Sequence, residues 1–202
     1  FGYAMFNTSM ASIPIPTSHK EALSGPQSEF WKAAMEKELN SIESFNTWKV
    51  VNKDDMPPES TLMRLKWVFD IKRDQLGNIL KYKARLVCQG FRQRYGIDYL
   101  DVYAPVVKYA SIRILLALSA FFGWLIHQMD VSTAFLNGII RVKLFCSPPP
   151  GYKLPNGKIL QLLKALYGTK QGARVWNIAL DDFLVKELSF LKCPYEACIY
   201  IK

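Results

Sequence analysis

"KWVFDIKRDQLGNILKYKARLVCQGF", residues 66–91, is the stretch whose reading decides the fold. Two runs rich in aromatic and β-branched residues flank the Gly-containing turn "QLGN", a pattern that predicts a β-hairpin. Strand side chains alternate between faces, so Leu80, Tyr82, Ala84, Leu86 and Cys88 share one face of the second strand. Lys81, Lys83 and Arg85 share the other. Such a row of cations is either a solvated face over an apolar one or a grip on phosphate, with Arg85 as a fork of donors and Lys83 as a point charge.

Upstream of the hairpin, Trp31, Met35, Leu39, Ile42 and Phe45 recur at helical steps, which predicts an amphipathic helix capped by Ser28. A short strand, "TWKVV", and a polar Pro-containing loop from Asn52 to Ser60 join the two. Residues 1–27 show no periodicity and read as an extended arm or linker. Downstream, Ser111 is placed to cap an apolar helix reaching about Trp124, which is expected to be buried and to lead into a strand carrying Asp130. A helical turn around Thr133 to Asn137 follows, then "LFCSPPPGY", a hairpin turn at "LPNGKI", a loop from Gly168 to Gly172, and a helix turning Val175, Leu180, Phe183 and Leu184 inward. Helices and strands mix without strict alternation, which indicates the α+β class.

The chain has 202 residues, half of them apolar, enough for a buried core. Its 26 Lys and Arg against 17 Asp and Glu give a net charge of +9, which fits a polyanionic partner. The apolar run from Ile114 to Ile126 is shorter than the roughly 18–20 residues a membrane span needs, and no basic, cleavable leader opens the sequence. Neither membrane insertion nor secretion is expected. Cys88, Cys146, Cys193 and Cys198 are too scattered for a disulfide framework or a zinc site, and reduced thiols in an intracellular setting are expected.

Taken together, "WKAAMEKEL", "KWVFDIKRD", "YKARLVCQGF", "DYLDVYAPVV", "HQMDVSTAFLNG", "PPPGY", "KALYGTKQGARVW" and "ACIYIK" resemble, in order and spacing, the reverse transcriptase of copia-like retrotransposons. The resemblance runs from about His19 to Lys202. It implies an incomplete right-hand polymerase fold, fingers plus the first part of the palm, over residues 28–202. It also implies an RNA-directed DNA polymerase acting by two-metal nucleotidyl transfer with Mg²⁺, on an RNA or DNA template-primer and deoxynucleoside triphosphates, within a Pol polyprotein and in the cytoplasm or a particle. The Asp of "DVSTAFLNG" matches Asp130, a catalytic metal-binding carboxylate, and the Val131 carbonyl would join the same ion; hard cations take oxygen donors of this kind.

Phe135, read from the residues alone, is a core aromatic. The resemblance makes it the bulky residue beneath the incoming sugar that collides with a 2′-hydroxyl. Lys83 and Arg85 become contacts to the triphosphate, and Gln171 of "LYGTKQ" a residue near the nucleotide. Thr169, the Gly172-Ala173 pair, and Arg141 and Lys143 in "IIRVKLFCS" depart from the family pattern, which has acids after "AFLNG". The other two carboxylates of a polymerase site come from a later palm hairpin, so the 202 residues alone are expected not to polymerise. Asp181-Asp182 would diverge by about 100° around a helix, and Asp54-Asp55 sits in a polar loop; neither is expected to substitute. The alternative is an inert basic module that at most binds nucleic acid.

Overall fold

A computed structural model describes residues 13–202. The hairpin forms as its alternation requires: β3 (Leu65–Arg73) pairs antiparallel with β4 (Ile79–Cys88), with Trp67 opposite Leu86 and Asp70 opposite Lys83. At the turn the Asp74 carboxylate accepts the backbone N–H groups of Leu76 and Asn78, and Gly77 takes the left-handed conformation. Along β3, Leu65, Trp67, Phe69 and Ile71 are buried; along β4, Ala84, Leu86 and Cys88 are. Leu80, expected on that inner face, is 67% exposed near the tip of the hairpin.

The helix α2 (Ser28–Ser44) lies on the buried face of this hairpin, with Trp31, Met35 and Ile42 inward. Trp31 meets Phe69 and Tyr82 edge-on at 5.2 and 4.8 Å, and Phe30 stacks on Tyr82 at 4.9 Å. Burying the Trp31 and Phe69 rings stabilises the contact by a few kcal/mol each. Ser28 does not cap α2: it is the first helical residue, and Gln27 stands at the cap without a side-chain hydrogen bond. The extended reading of residues 1–27 fails at His19–Ser24, a short helix α1 whose Ser18 hydroxyl accepts the Glu21 N–H and whose Ala22 is buried. Residues 1–12 lie outside the described residues.

A second sheet has four strands, Trp48–Asn52 (β1), Lys158–Lys164 (β6), Ile139–Cys146 (β5) and Leu62–Met63 (β2), in that order. The strands β1, β6 and β5 pair antiparallel, and the two-residue β2 runs parallel to β5. The sheets share one core in which Met63, Leu86, Cys88, Leu144, Cys146, Leu160 and Leu162 are almost fully buried. The "PPPGY" loop fastens the layers: the Trp67 indole donates to the Pro150 carbonyl at 3.0 Å, and the Tyr152 hydroxyl donates to Glu43 at 3.0 Å.

The apolar helix, α3 (Tyr109–Phe122), differs from expectation in three ways. None of its residues is buried, and large side chains beyond it are open to solvent, Leu125 at 87% and Met129 at 90%. No described element lies across it. Residues 124–131 form no strand, because no neighbouring strand among the described residues pairs with their backbone groups. Its cap comes from far along the chain: the Lys108 N–H and the Ser111 hydroxyl donate to Glu196 at 3.3 and 2.9 Å, so Ser111 acts inside the first turn rather than at the cap.

The helical turn is Ala134–Asn137, a short 3₁₀ segment. Then α4 (Gly172–Asp182) packs on it and on β5, and continues as a π-helical turn, Phe183–Glu187. Gly138 permits this packing, because a Cβ there would stand 2.7 Å from the Val175 side chain. Val175, Leu180 and Leu184 are half-buried as expected, but Phe183 is 51% exposed, since the π turn rotates it outward. The strands β7 (Leu191–Lys192) and β8 (Tyr200–Ile201) form a small closing ribbon. Helices and strands thus mix in one α and β fold.

Candidate active site

Where β4 ends, the chain from Leu166 to Gln171 crosses it. The Cys88 N–H donates to the Tyr167 carbonyl at 2.8 Å, and Val87 and Tyr167 form a parallel bridge. The crossing is close enough that a Cβ on Gly90 would overlap the Gly168 carbonyl, and one on Gly168 the Cys88 carbonyl. Gly168 also has a φ of +85°. Glycine meets both demands at this crossing.

The crossing brings three side chains together. The Tyr167 ring meets the Phe135 ring at 4.9 Å with an interplanar angle of 60°, and the Arg85 guanidinium lies over the Tyr167 ring at 5.6 Å. Arg85, Phe135 and Tyr167 are all half-buried. Two residues singled out from sequence, on a strand and on a helical turn 50 positions apart, therefore share one aromatic neighbour. Sequence reasoning passed over Tyr167, although "LYG" places it beside a glycine that needs left-handed backbone.

Lys83 stands two residues before Arg85 on the same face of β4. Burial lowers its pKa below the usual lysine range, and the neighbouring charges of Arg85 and Lys81 lower it further. From the other side, Glu38 of α2 accepts the Leu86 N–H at 3.3 Å. Burial raises the Glu38 carboxyl above the usual range, while the Leu86 N–H, Arg85 and Lys83 pull it back down. Asp70, opposite Lys83, is held by Lys72 at 3.0 Å, which keeps its carboxyl below the usual range. The cations thus stand over a half-buried carboxylate, with Arg85 turned toward Tyr167.

Gln171 is buried, and its polar atoms are engaged within the protein. Its oxygen accepts from the Gln93 amide at 2.9 Å, and its own amide donates to the Asp98 carbonyl at 3.2 Å. The buried Asp98 carboxylate in turn accepts from the Thr61 hydroxyl at 2.7 Å and the Arg94 N–H at 2.8 Å. The unusual Thr169 fits this loop, since its hydroxyl donates to the Leu166 carbonyl at 2.8 Å. A Cβ at residue 172 would stand 2.9 Å from that same hydroxyl oxygen, so Thr169 and Gly172 accommodate each other.

Asp130 and Val131 lie on the exposed stretch that follows α3, and no hydrogen bond or ion pair among the described residues ties Asp130 to Arg85, Lys83 or Phe135. Among the described residues no three metal-ligating side chains converge. Asp181 receives Lys192 and Tyr200 at 2.6 Å each and fastens α4 to the closing ribbon, while Asp182 pairs with Lys186 of the following π turn at 2.6 Å. A cavity of about 450 Å³ between α4 and β5 is lined by Asn137, Arg141, Arg174 and Asp182; of the candidate residues only Gln171 reaches it.

The sequence profile of "Reverse transcriptase (RNA-dependent DNA polymerase)" matches residues 45–202, and the chain belongs to this family. It is similar to the Retrovirus-related Pol polyprotein from transposon TNT 1-94 of Nicotiana tabacum, at 38% identity over 93% of this chain and 14% of that protein. The corresponding polyproteins from transposons RE1 and RE2 of Arabidopsis thaliana are 37% and 36% identical over 94% and 89% of this chain, and 13% and 12% of their own lengths. The chain thus spans about one seventh or less of these copia-like relatives. No solved structure matches it significantly. No helix among the described residues is long and apolar enough to cross a membrane.

Proposed function

We propose that this chain supplies the fingers and the first part of the palm of a right-hand polymerase that copies an RNA or DNA template into DNA. The observation that carries this reading is the meeting of Arg85 and Phe135 on the Tyr167 ring. A guanidinium and a second ring that share one aromatic neighbour suit a nucleotide's triphosphate and sugar, which also lie side by side. Arg85 and Lys83 grip the phosphates, Arg85 through paired donors and Lys83 as a point charge. Phe135 presents its ring to the sugar and excludes a 2′-hydroxyl. Gln171 acts through the loop it holds, because its amide faces inward.

Asp130 and the Val131 carbonyl are hard oxygen donors of the kind Mg²⁺ takes, and an exposed carboxylate is free to turn toward an ion. Mg²⁺ when bound supplies charge stabilisation to the attacking and leaving oxygens of phosphoryl transfer. Template-primer is held through its phosphates by the basic surface, and base choice comes from pairing with the template.

The test is a chimaeric polyprotein in which residues 45–202 replace the matching segment of the tobacco relative. Mg²⁺-dependent primer extension is expected, and Asp130→Ala is expected to reduce it by roughly a thousandfold or more. Extension that survives Asp130→Ala undiminished overturns the assignment.

A further inference from the structure

We infer that Tyr167 is a positioning residue that sets sugar specificity, by fixing the Phe135 ring and the Arg85 guanidinium at one spacing. The inference rests on the reading that Arg85 and Phe135 face the nucleotide, and it adds a residue that this reading does not need.

Phe135 sits on a four-residue 3₁₀ turn, secured by the Leu136 N–H to Thr133 and the Gly138 N–H to the Phe135 carbonyl, each at 2.9 Å. Thr133 before it has a left-handed φ of 55°, and the stretch before that is exposed coil. Backbone alone gives this ring little support on its upstream side. The Tyr167 backbone is held firmly. Its carbonyl is bonded to Cys88, its neighbours Ala165 and Leu166 are buried, and Gly168 is pressed against the end of β4.

Phe135 packs against the core and also meets the Tyr167 ring, which gives it a second restraint. Steric exclusion of a single hydroxyl works only if the excluding ring stays within about 0.5 Å of its place. The edge-on contact at 4.9 Å supplies that restraint to Phe135, and the same ring carries Arg85 by a cation–π contact on β4. Tyr167 therefore spans the two halves of the site, one from the hairpin and one from the turn. Its hydroxyl makes no hydrogen bond among the described residues, so the ring alone makes the contact.

The experiment measures kcat and KM for dUTP and UTP, which differ only at the 2′ position, with the chimaeric polymerase described above, comparing wild type with Tyr167→Ala, Tyr167→Phe and Phe135→Ala. If the inference holds, Tyr167→Ala lowers the preference for dUTP over UTP by roughly three- to tenfold, mainly through a lower KM for UTP and a higher KM for dUTP. Tyr167→Phe restores the preference, because it keeps the ring. A Tyr167→Ala enzyme slowed equally with both substrates overturns the inference, since a merely structural ring would act that way. Tyr167→Phe behaving like Tyr167→Ala also overturns it, by assigning the effect to the hydroxyl. Phe135→Ala separates the two levels: an unchanged preference in that variant sinks the underlying reading of the site, whereas a changed one beside an unaffected Tyr167→Ala sinks only the inference.

Discussion

The side-chain amide of Gln93 donates to the side-chain oxygen of Gln171 at 2.9 Å, and both amides donate to the Asp98 carbonyl at 3.2 Å. The Gln93 oxygen accepts the Lys170 N–H at 2.8 Å, so the loop after Tyr167 is tied to the segment after β4 by a closed set of buried bonds. Gln171→Leu removes two buried hydrogen bonds, while the Gln93 amide and the Asp98 carbonyl keep the bond they make with each other. Each buried hydrogen bond contributes about 0.5–1.5 kcal/mol, and urea unfolding of the variant is expected to show a loss of roughly 1–3 kcal/mol. A Gln171→Leu chain of unchanged stability with weaker nucleotide binding would instead make Gln171 a direct contact.

The glycine crossing predicts a sharper effect. Gly168→Ala places a Cβ against the Cys88 carbonyl and forces an alanine into left-handed backbone. Strain and overpacking together should destabilise by roughly 2–4 kcal/mol. Gly96 provides the control: its φ is +81° but a Cβ there meets nothing within 4 Å, so Gly96→Ala should cost only the backbone part, about 1–2 kcal/mol. Equal losses in the two variants would show that the crossing is not as close as described.

Arg85 and Lys83 should differ in kind. Arg85→Lys keeps the charge but loses the paired donors and weakens the contact over Tyr167, so labelled deoxynucleotide binding measured by anisotropy should weaken nearly as much as in Arg85→Ala, roughly tenfold. Lys83→Arg should retain most of the affinity, because Lys83 acts as a point charge. Both alanine variants should show less salt dependence than the parent, since each removes a screened attraction. Affinity in Arg85→Lys equal to the parent would return the guanidinium to a purely electrostatic role.

Much of this was legible in the sequence because alternation and helical periodicity report burial directly. The β3–β4 hairpin and the inner face of α2 follow from residue type alone. The network around Asp98 and Gln171 was not legible, because its partners lie far apart: Thr61 with Asp98, and Gln93 with Gln171. Tyr167 escaped for the same reason, its neighbours coming from β4 and from the turn at 134–137. With α3 the periodicity misled. A helix apolar on most sides reads as buried, yet burial requires a neighbour, and among the described residues none covers it. The caps failed because serine supplies only a local possibility, whereas Glu196 reached the start of α3 from another part of the chain.

Glu38 supplies a pH test of how the cationic strand is supported. Its carboxyl pKa is raised, with burial outweighing the Leu86 N–H and the nearby Arg85 and Lys83. A carboxyl raised in the folded state binds its proton more tightly there than in the unfolded chain. Its contribution to stability is therefore fully present below the unfolded glutamate value of about 4.3, and it is lost as pH rises through the higher folded value. Glu38→Gln keeps an oxygen for the Leu86 N–H and removes the titration. The parent should gain stability relative to Glu38→Gln as pH is lowered from 7 toward 4, measured as the difference in urea midpoints. A difference that shrinks or reverses over that range would mean that Arg85 and Lys83 dominate, and that Glu38 is an ion-pair partner of the strand rather than a buried acid beneath it.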